Sequence, residues 1–124
     1  MPCDYDIDSE RGIVLSRGWG SVSDADLLTH QRRLAVDPRF SPAMNQLYDL
    51  RDVTEVEKVT SAGIRELAQH SPFGAGSRRV VLVASRVTFG LARMFQALAD
   101  EKPDELRVVF DEMVEAERWI GIER

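Results

Sequence analysis

The side chains whose types suit chemistry are the hydroxyls of Thr60 and Ser61, the thiol of Cys3, the imidazoles of His30 and His70, and several paired carboxylates. Thr60 and Ser61 have the most informative surroundings. A strand-like run, Gln46-Leu47-Tyr48-Asp49-Leu50, leads through a polar loop into Thr60-Ser61-Ala62-Gly63-Ile64. A helix beginning at 60–61 presents unpaired backbone N–H groups and positive potential. A Ser or Thr at such a start caps the helix or carries a phosphate, and capping is the commoner use.

The other groups offer less. His30 and His70 fall in different expected helices and do not form a pair at i, i+4, so no zinc or iron site is expected, and no cofactor. The Gly74-Ala75-Gly76 loop follows a helix rather than a strand and lacks a Lys-Ser/Thr ending, which argues against a nucleotide-phosphate cradle. Asp24/Asp26, Glu55/Glu57 and Asp111/Glu112 suit solvated or dipole-stabilising roles. There is no Gly-x-Ser-x-Gly elbow and no Ser, His and Asp in a context that suggests a triad, so the chain is not expected to be an enzyme. A hydrolase would require a cleft where a carboxylate and a histidine meet. Cys3, the single cysteine, has no intrachain partner and no activating neighbour in sequence. It is expected as a free surface thiol.

The elements that hold these residues follow from periodicity. Tyr5 and Ile7, then Ile13 and Leu15, alternate with polar residues around Ser9-Glu10-Arg11-Gly12, the pattern of a hairpin. Gly18-Trp19-Gly20 is expected to break its second strand. Ser23 and Asp26 resemble a helix cap, and the helix after them stacks Leu27, Leu28, Leu34 and Ala35 until Asp37-Pro38 stops it. A second helix starts near Thr60 or Ser61, stacks Ile64, Leu67 and Ala68, and ends before Ser71-Pro72. Val80-Val81-Leu82-Val83-Ala84 reads as a central parallel strand covered on both faces. Ser85 caps a third helix carrying Val87, Leu91, Met94, Phe95 and Leu98, which Lys102-Pro103 closes. Leu106 to Phe110 is the last strand. Asp111 is placed as the N-cap of a final helix with Met113, Ala116, Trp119 and Ile120 on one stripe.

The order β-β-α-β-α-β-α-β-α implies an α/β fold. We expect one domain over residues 1–124: a mixed sheet of about five strands, with an N-terminal antiparallel hairpin and then parallel strands, flanked by about four helices. A chain of 124 residues is long enough to bury roughly two-thirds of its unfolded surface without a metal or disulfide. Twenty-one acidic against sixteen basic residues give a net charge of −5, so nucleic acid is not an expected partner. No apolar run reaches the roughly 18 residues that span a bilayer, and the first four residues do not resemble a signal peptide. The protein is read as cytoplasmic, without membrane insertion.

The third helix carries more large apolar groups than one buried stripe needs. Phe89, Met94 and Phe95, beside Arg86 and Arg93, match the composition of protein interfaces. These five residues are the candidate partner-binding surface, for another protein or a second copy of the chain.

Asp49-Leu50-Arg51-Asp52-Val53-Thr54 followed by Thr60-Ser61-Ala62-Gly63-Ile64 resembles the signature of STAS domains, in which an Asp-Leu-x-x-Val-Thr strand end leads to a Ser-x-Gly-Leu-like helix start. The whole chain, including Phe89 to Phe95 and the closing strand and helix, is similar to the small stand-alone SpoIIAA-like (STAS/SEC14-like) bacterial proteins. In anti-sigma-factor antagonists of that superfamily the serine at this helix start is phosphorylated, which releases a partner. The resemblance therefore implies Ser61 as phosphorylation candidate, with Thr60 second, in a regulatory docking module. Two departures stand out: residues 55–59 make the connection longer than usual, and no acidic residue directly precedes Ser61. The SEC14 side of the resemblance implies an alternative, a carrier of a small apolar or lipid ligand between helices and sheet.

Overall fold

The structure, a computed structural model, describes residues 2–99 and 105–122. β1 (Cys3–Asp8) and β2 (Ile13–Ser23) pair antiparallel, with Cys3 opposite Gly18 and Asp8 opposite Ile13. Their turn needs Gly12, whose φ of 67° is a left-handed conformation that suits a residue without Cβ. The rest of the chain alternates: α1 (Asp24–Ala35), β3 (Asn45–Lys58), α2 (Ser61–Gln69), β4 (Arg79–Val83), α3 (Arg86–Leu98), β5 (Leu106–Phe110) and α4 (Met113–Ile120). The five strands form one sheet in the order β1-β2-β3-β4-β5, and every pairing after the hairpin is parallel. The fold is thus the expected α/β mixed sheet with four helices.

Two expectations about the strands fail for one reason. Gly18-Trp19-Gly20 does not break β2, which runs eleven residues to Ser23. The polar residues 51–58 are not a loop but the second half of β3, a strand of fourteen residues. The two segments pair with each other: Trp19 lies opposite Asp52, Gly20 opposite Val53, Ser21 opposite Glu55 and Ser23 opposite Lys58. Register shifts in this stretch absorb the extra residues, and Gly20 at φ 65° takes the conformation that such an irregularity requires. Polar side chains are tolerated because this extension runs beyond the pairing of β3 with β4, which ends at Asp49.

The helix starts follow local chemistry. Ser23 and Asp26 form a reciprocal capping box on α1, Thr60 caps α2, and Ser85 caps α3 through Thr88 N–H. The start of α4 differs from expectation. Glu112, not Asp111, is its N-cap and makes no side-chain cap bond. Asp111 is held at φ 52° with its N–H donating to Val83 O, so the strand-to-helix turn uses the residue expected as cap. Lys102-Pro103, expected to close α3, lies outside the described residues. Among the described residues, no helix is long and apolar enough to cross a membrane.

The sheet has two unlike faces. On one, Ile13, Leu47, Val80, Leu82 and Val109 pack against Ala116 and Ile120 of α4. The other carries Ile7 and Val14 against Leu34 of α1, then continues under α2 and α3. β4 is buried on both faces as expected, although β3 holds the middle of the sheet. Ala35 is exposed, because α1 turns Leu34 and His30 inward instead. Val87 and Met94 also face outward, and the inward stripe of α3 is Thr88, Leu91, Ala92 and Phe95.

Candidate functional site

The helix start at Thr60 and Ser61 is present, but its two hydroxyls differ. Thr60 is extended, at φ −112° and ψ 159°, and its Oγ1 accepts from Gly63 N–H at 3.0 Å. The same Oγ1 donates to Asp24 Oδ2 at 2.6 Å, while Thr60 N–H donates to Asp24 Oδ1 at 2.9 Å. The first residue of α1 thus seats its carboxylate on the N-terminus of α2, where positive potential favours it. Gly63 leaves room for this, since a Cβ there would collide with the Asp24 carboxylate. Ser61 is exposed and makes no hydrogen bond with a described side chain. Both candidates are exposed, but Thr60 is committed to the clamp and Ser61 is not.

The five candidate contact residues on α3 do not share one surface. Arg86, Arg93 and Met94 are exposed, Met94 at 38%, beside Val87 at 63%. Phe89 is half-buried, with its ring 6.3 Å from that of Phe110 on β5. Phe95 turns inward: it lines a cavity, and the Arg79 guanidinium lies 5.6 Å from its ring.

That cavity, of about 130 Å³, lies between the sheet and α1, α2 and α3. Val22, Leu27, Leu50, Leu67, Leu91 and Phe95 are representative of its largely apolar wall. Polar groups also line it: His30, Gln46, Tyr48, Arg79 and Thr88. Gln46 Nε2 donates to Ser16 Oγ at 3.0 Å, and Ser16 Oγ lies 3.0 Å from His30 Nε2. The His30 ring sits 4.8 Å from the Tyr48 ring and 5.5 Å edge-on from Tyr5. Burial, reinforced by the nearby Arg33 charge, pushes His30 down to about 4, so it is neutral at neutral pH.

The Ser16–His30 contact has the distance of a nucleophile and its base. It acts instead as a buried strut, because Ser16 also receives the Gln46 amide and is 1% exposed. Among the described residues no carboxylate is hydrogen-bonded to His30 to orient it, as a catalytic triad would need.

Tyr48 stands out on this floor. Its Oη is shut off from solvent, and the polar group beside it is the Cys3 thiol. Burial first, and then the Cys3 thiol beside it, pushes its ionisation well above the usual range. A thiol is too weak a partner to satisfy a buried phenol. Cys3 itself is buried, contrary to the surface thiol expected: it opens β1 on the helix-covered face, and burial raises its pKa. Arg79 is buried with its guanidinium 5.1 Å from the Phe73 ring, and its Nη1 donates to Ser71 Oγ at 3.4 Å. Burial lowers its pKa to about 10 against the pull of Glu105, so it stays charged at pH 7.

Sequence reasoning passed over this group, yet part of the signal was present. His30 falls three residues after Leu27 and four before Leu34, on the apolar stripe of α1. Gln46, Tyr48 and Leu50 alternate along β3, so they share the face that α1 to α3 cover. Nothing in the spacing said that this face would be left partly unfilled.

On the opposite face, α4 covers β3, β4 and the start of β2 at Ile13 but leaves β1 and the rest of β2 open. A groove of about 660 Å³ remains there, with Leu15, Trp19 and Met113 among charged Asp4, Asp6 and Arg17. No protein-family model matches this chain, and no curated protein matches it.

Proposed function

We propose that this domain is a non-enzymatic binding protein that holds a small, largely apolar molecule between its sheet and α1 to α3. One observation carries the reading: about 130 Å³ of mostly apolar space, partly open to solvent, between the sheet and three helices of a domain this small. Protein interiors are normally packed with few voids larger than a water molecule. An apolar occupant of this space would take part of its apolar lining out of water, which is favourable at about 25 cal/mol per Å². The resemblance to small SEC14-like proteins supports the same class, since it implies a ligand held between helices and sheet. The size favours a ring-sized molecule over a lipid chain. The reading places the protein in the cytoplasm, where its single buried thiol stays reduced.

Toluene titrated into the full chain tests this. It should raise the melting temperature by several degrees at concentrations well above its Kd. Ala92→Phe, which fills the space from α3, should remain folded and lose the response. A wild-type protein whose melting ignores toluene, and which carries no ligand mass when purified from its own host, would sink the reading.

A second reading has its own observation. Ser61 is exposed at the start of α2, which packs on α3, whose outer face carries Val87, Met94, Arg86 and Arg93. This is the surface of a regulatory docking module of the anti-sigma-factor-antagonist kind, engaging a protein partner or a second copy. A phosphate on Ser61 would add about −1.5 to −2 charges near Asp24 and repel a bound partner. Ser61→Asp should then weaken partner capture with the fold intact, and unchanged capture removes Ser61 from the mechanism.

A further inference from the structure

We infer that two copies of this chain pair edge to edge through β5, antiparallel, with Val108 of each copy opposite Phe110 of the other. The pairing depends neither on what the cavity holds nor on Ser61. It follows from a difference between the two edges of the sheet, β1 and β5. An edge strand shows a row of unpaired backbone groups that another strand can take up, and proteins commonly block such a row with charge, proline or cover.

β1 is blocked. Its run Cys3-Asp4-Tyr5-Asp6-Ile7-Asp8 puts an aspartate at every second position. Trp19 N–H donates to Pro2 O at 2.9 Å, which sets the even residues of β1 towards β2 and turns the N–H groups of Tyr5 and Ile7 to the free edge. Asp4 Oδ1 accepts from Tyr5 N–H at 2.9 Å, and Asp6 Oδ1 accepts from Ile7 N–H at 3.0 Å. The edge donors are spent on the strand's own carboxylates.

β5 has no such guard, for Leu106-Arg107-Val108-Val109-Phe110 contains neither an acid nor a proline. Arg79 N–H donates to Glu105 O and Asp111 N–H to Val83 O, each at 2.7 Å, so the odd-numbered backbone groups face β4. Those of Leu106, Val108 and Phe110 therefore face away from the sheet. Gln96 Nε2 donates to the Leu106 carbonyl at 2.6 Å, which leaves Val108 and Phe110 as the open positions. Among the described residues, β4 is the strand that pairs with β5.

Charge then sets the register. With Val108 opposite Phe110 of the second copy, the two-fold axis passes at Val109 and Arg107 lies opposite Asp111 in both halves of the dimer. Arg107 and Asp111 are both exposed, and four residues apart on one strand they share a face. Arg107 lies over the Trp119 ring at 4.1 Å, and Asp111 Oδ1 is 4.0 Å from Arg51, so neither charge is buried against its own domain. Opposed residues of this kind stand about 4.5 Å apart between Cα atoms, close enough to pair. On the other face Phe110, 47% exposed, gains Val108 as a cross-strand neighbour. The register with Val108 opposite Val108 would instead set Glu105 against Asp111 and call on the Leu106 carbonyl that Gln96 already holds.

Sedimentation of the full chain tests the pairing. The wild type should show a mass that rises with concentration towards twice that of one chain. Arg107→Asp and Asp111→Lys should each be monomeric, since either one sets like charges opposite each other twice. Mixed in equal amounts, the two variants restore opposite charges at both positions and should associate about tenfold more tightly than either alone. Val108→Pro removes an outward N–H that serves no bond within the domain, so it should keep its circular dichroism and lose the dimer. Where a charge variant does not fold, Val108→Pro decides. A wild type that stays monomeric at about 1 mM, where even weak pairing is visible, overturns the inference. So does a mixture no tighter than its components, or a folded Val108→Pro that dimerises like the wild type.

Discussion

The two faces of this sheet are held together by different means. Beneath α4 the contact is dense: Val80, Leu82 and Ala116 are fully buried, and Ile120 closes the layer. Beneath α1 to α3 the packing leaves a cavity, and polar ties hold α1 and α2 in place. Asp24 clamps the Thr60 backbone and hydroxyl, Gln31 Nε2 donates to His70 O at 2.8 Å, and Arg32 lies 3.6 Å from Glu66. Dense packing fixes one arrangement, whereas directional ties at the rim can hold helices over a space without filling it. The tightly packed face forms the rigid layer, and the space proposed to take a ligand lies under the tied one.

The largest expected effect is on the packed face. Leu82→Ala should cost about 3–5 kcal/mol in urea unfolding, since the surrounding layer has little room to collapse. Ala92→Leu, which points into the cavity, should stay within about 1 kcal/mol of wild type, because it occupies empty volume. Similar penalties for the two would erase the contrast between the faces.

Acid should act on the tied face next. His30 is held neutral in the fold with its pKa lowered to about 4, while an unfolded histidine titrates near its ordinary 6.5. The unfolded state therefore binds more protons between these values, and stability falls as pH drops through that window. Up to about 3 kcal/mol is at stake, complete below pH 4 and absent above about pH 7. Arg33 adds to the shift and Asp4 opposes it. His30→Gln keeps a hydrogen-bonding group against Ser16 and should flatten this part of the pH profile. An unchanged slope in that variant would assign the loss elsewhere.

The clamp can be probed directly. Gly63→Ala should destabilise by about 2 kcal/mol through its collision with Asp24, and Asp24→Ala by about 1 kcal/mol through the lost cap contacts. The double variant should be less damaged than the sum, because removing the carboxylate removes the collision. Strict additivity would show that the tie does not bear on α2. The smallest change is Ser61→Asp, expected within about 0.5 kcal/mol in stability, as the surface helix start already has its carboxylate.

Where the sequence could be read, local rules were enough. Ser23, Thr60 and Ser85 each supply a hydroxyl to a backbone N–H three residues on, and that chemistry needs no tertiary partner. Val80 to Val83 declared a buried strand by composition alone. Asn45–Lys58 was only half legible, because the polarity of residues 51–58 reflects what lies outside the sheet and not whether the backbone is paired. Cys3 was misread for a similar reason: its burial comes from Gly18 and Tyr48, which are remote in sequence. Phe95 and Met94 are neighbours in the chain with opposite destinations, and the choice between them depended on where α3 sits over β4 and β5.

Alternating strands and capped helices, an acidic balance and a serine at a helix start were all determined by residue order, since each depends on composition or on interactions within a few positions. The cavity, the Tyr48 hydroxyl sealed beside Cys3, the neutral His30 and the seat of Asp24 on α2 were decided only by the assembled fold. Packing defects and buried hydrogen-bond deficits are properties of surfaces brought together from distant parts of the chain, and periodicity along the chain does not encode how completely those surfaces meet.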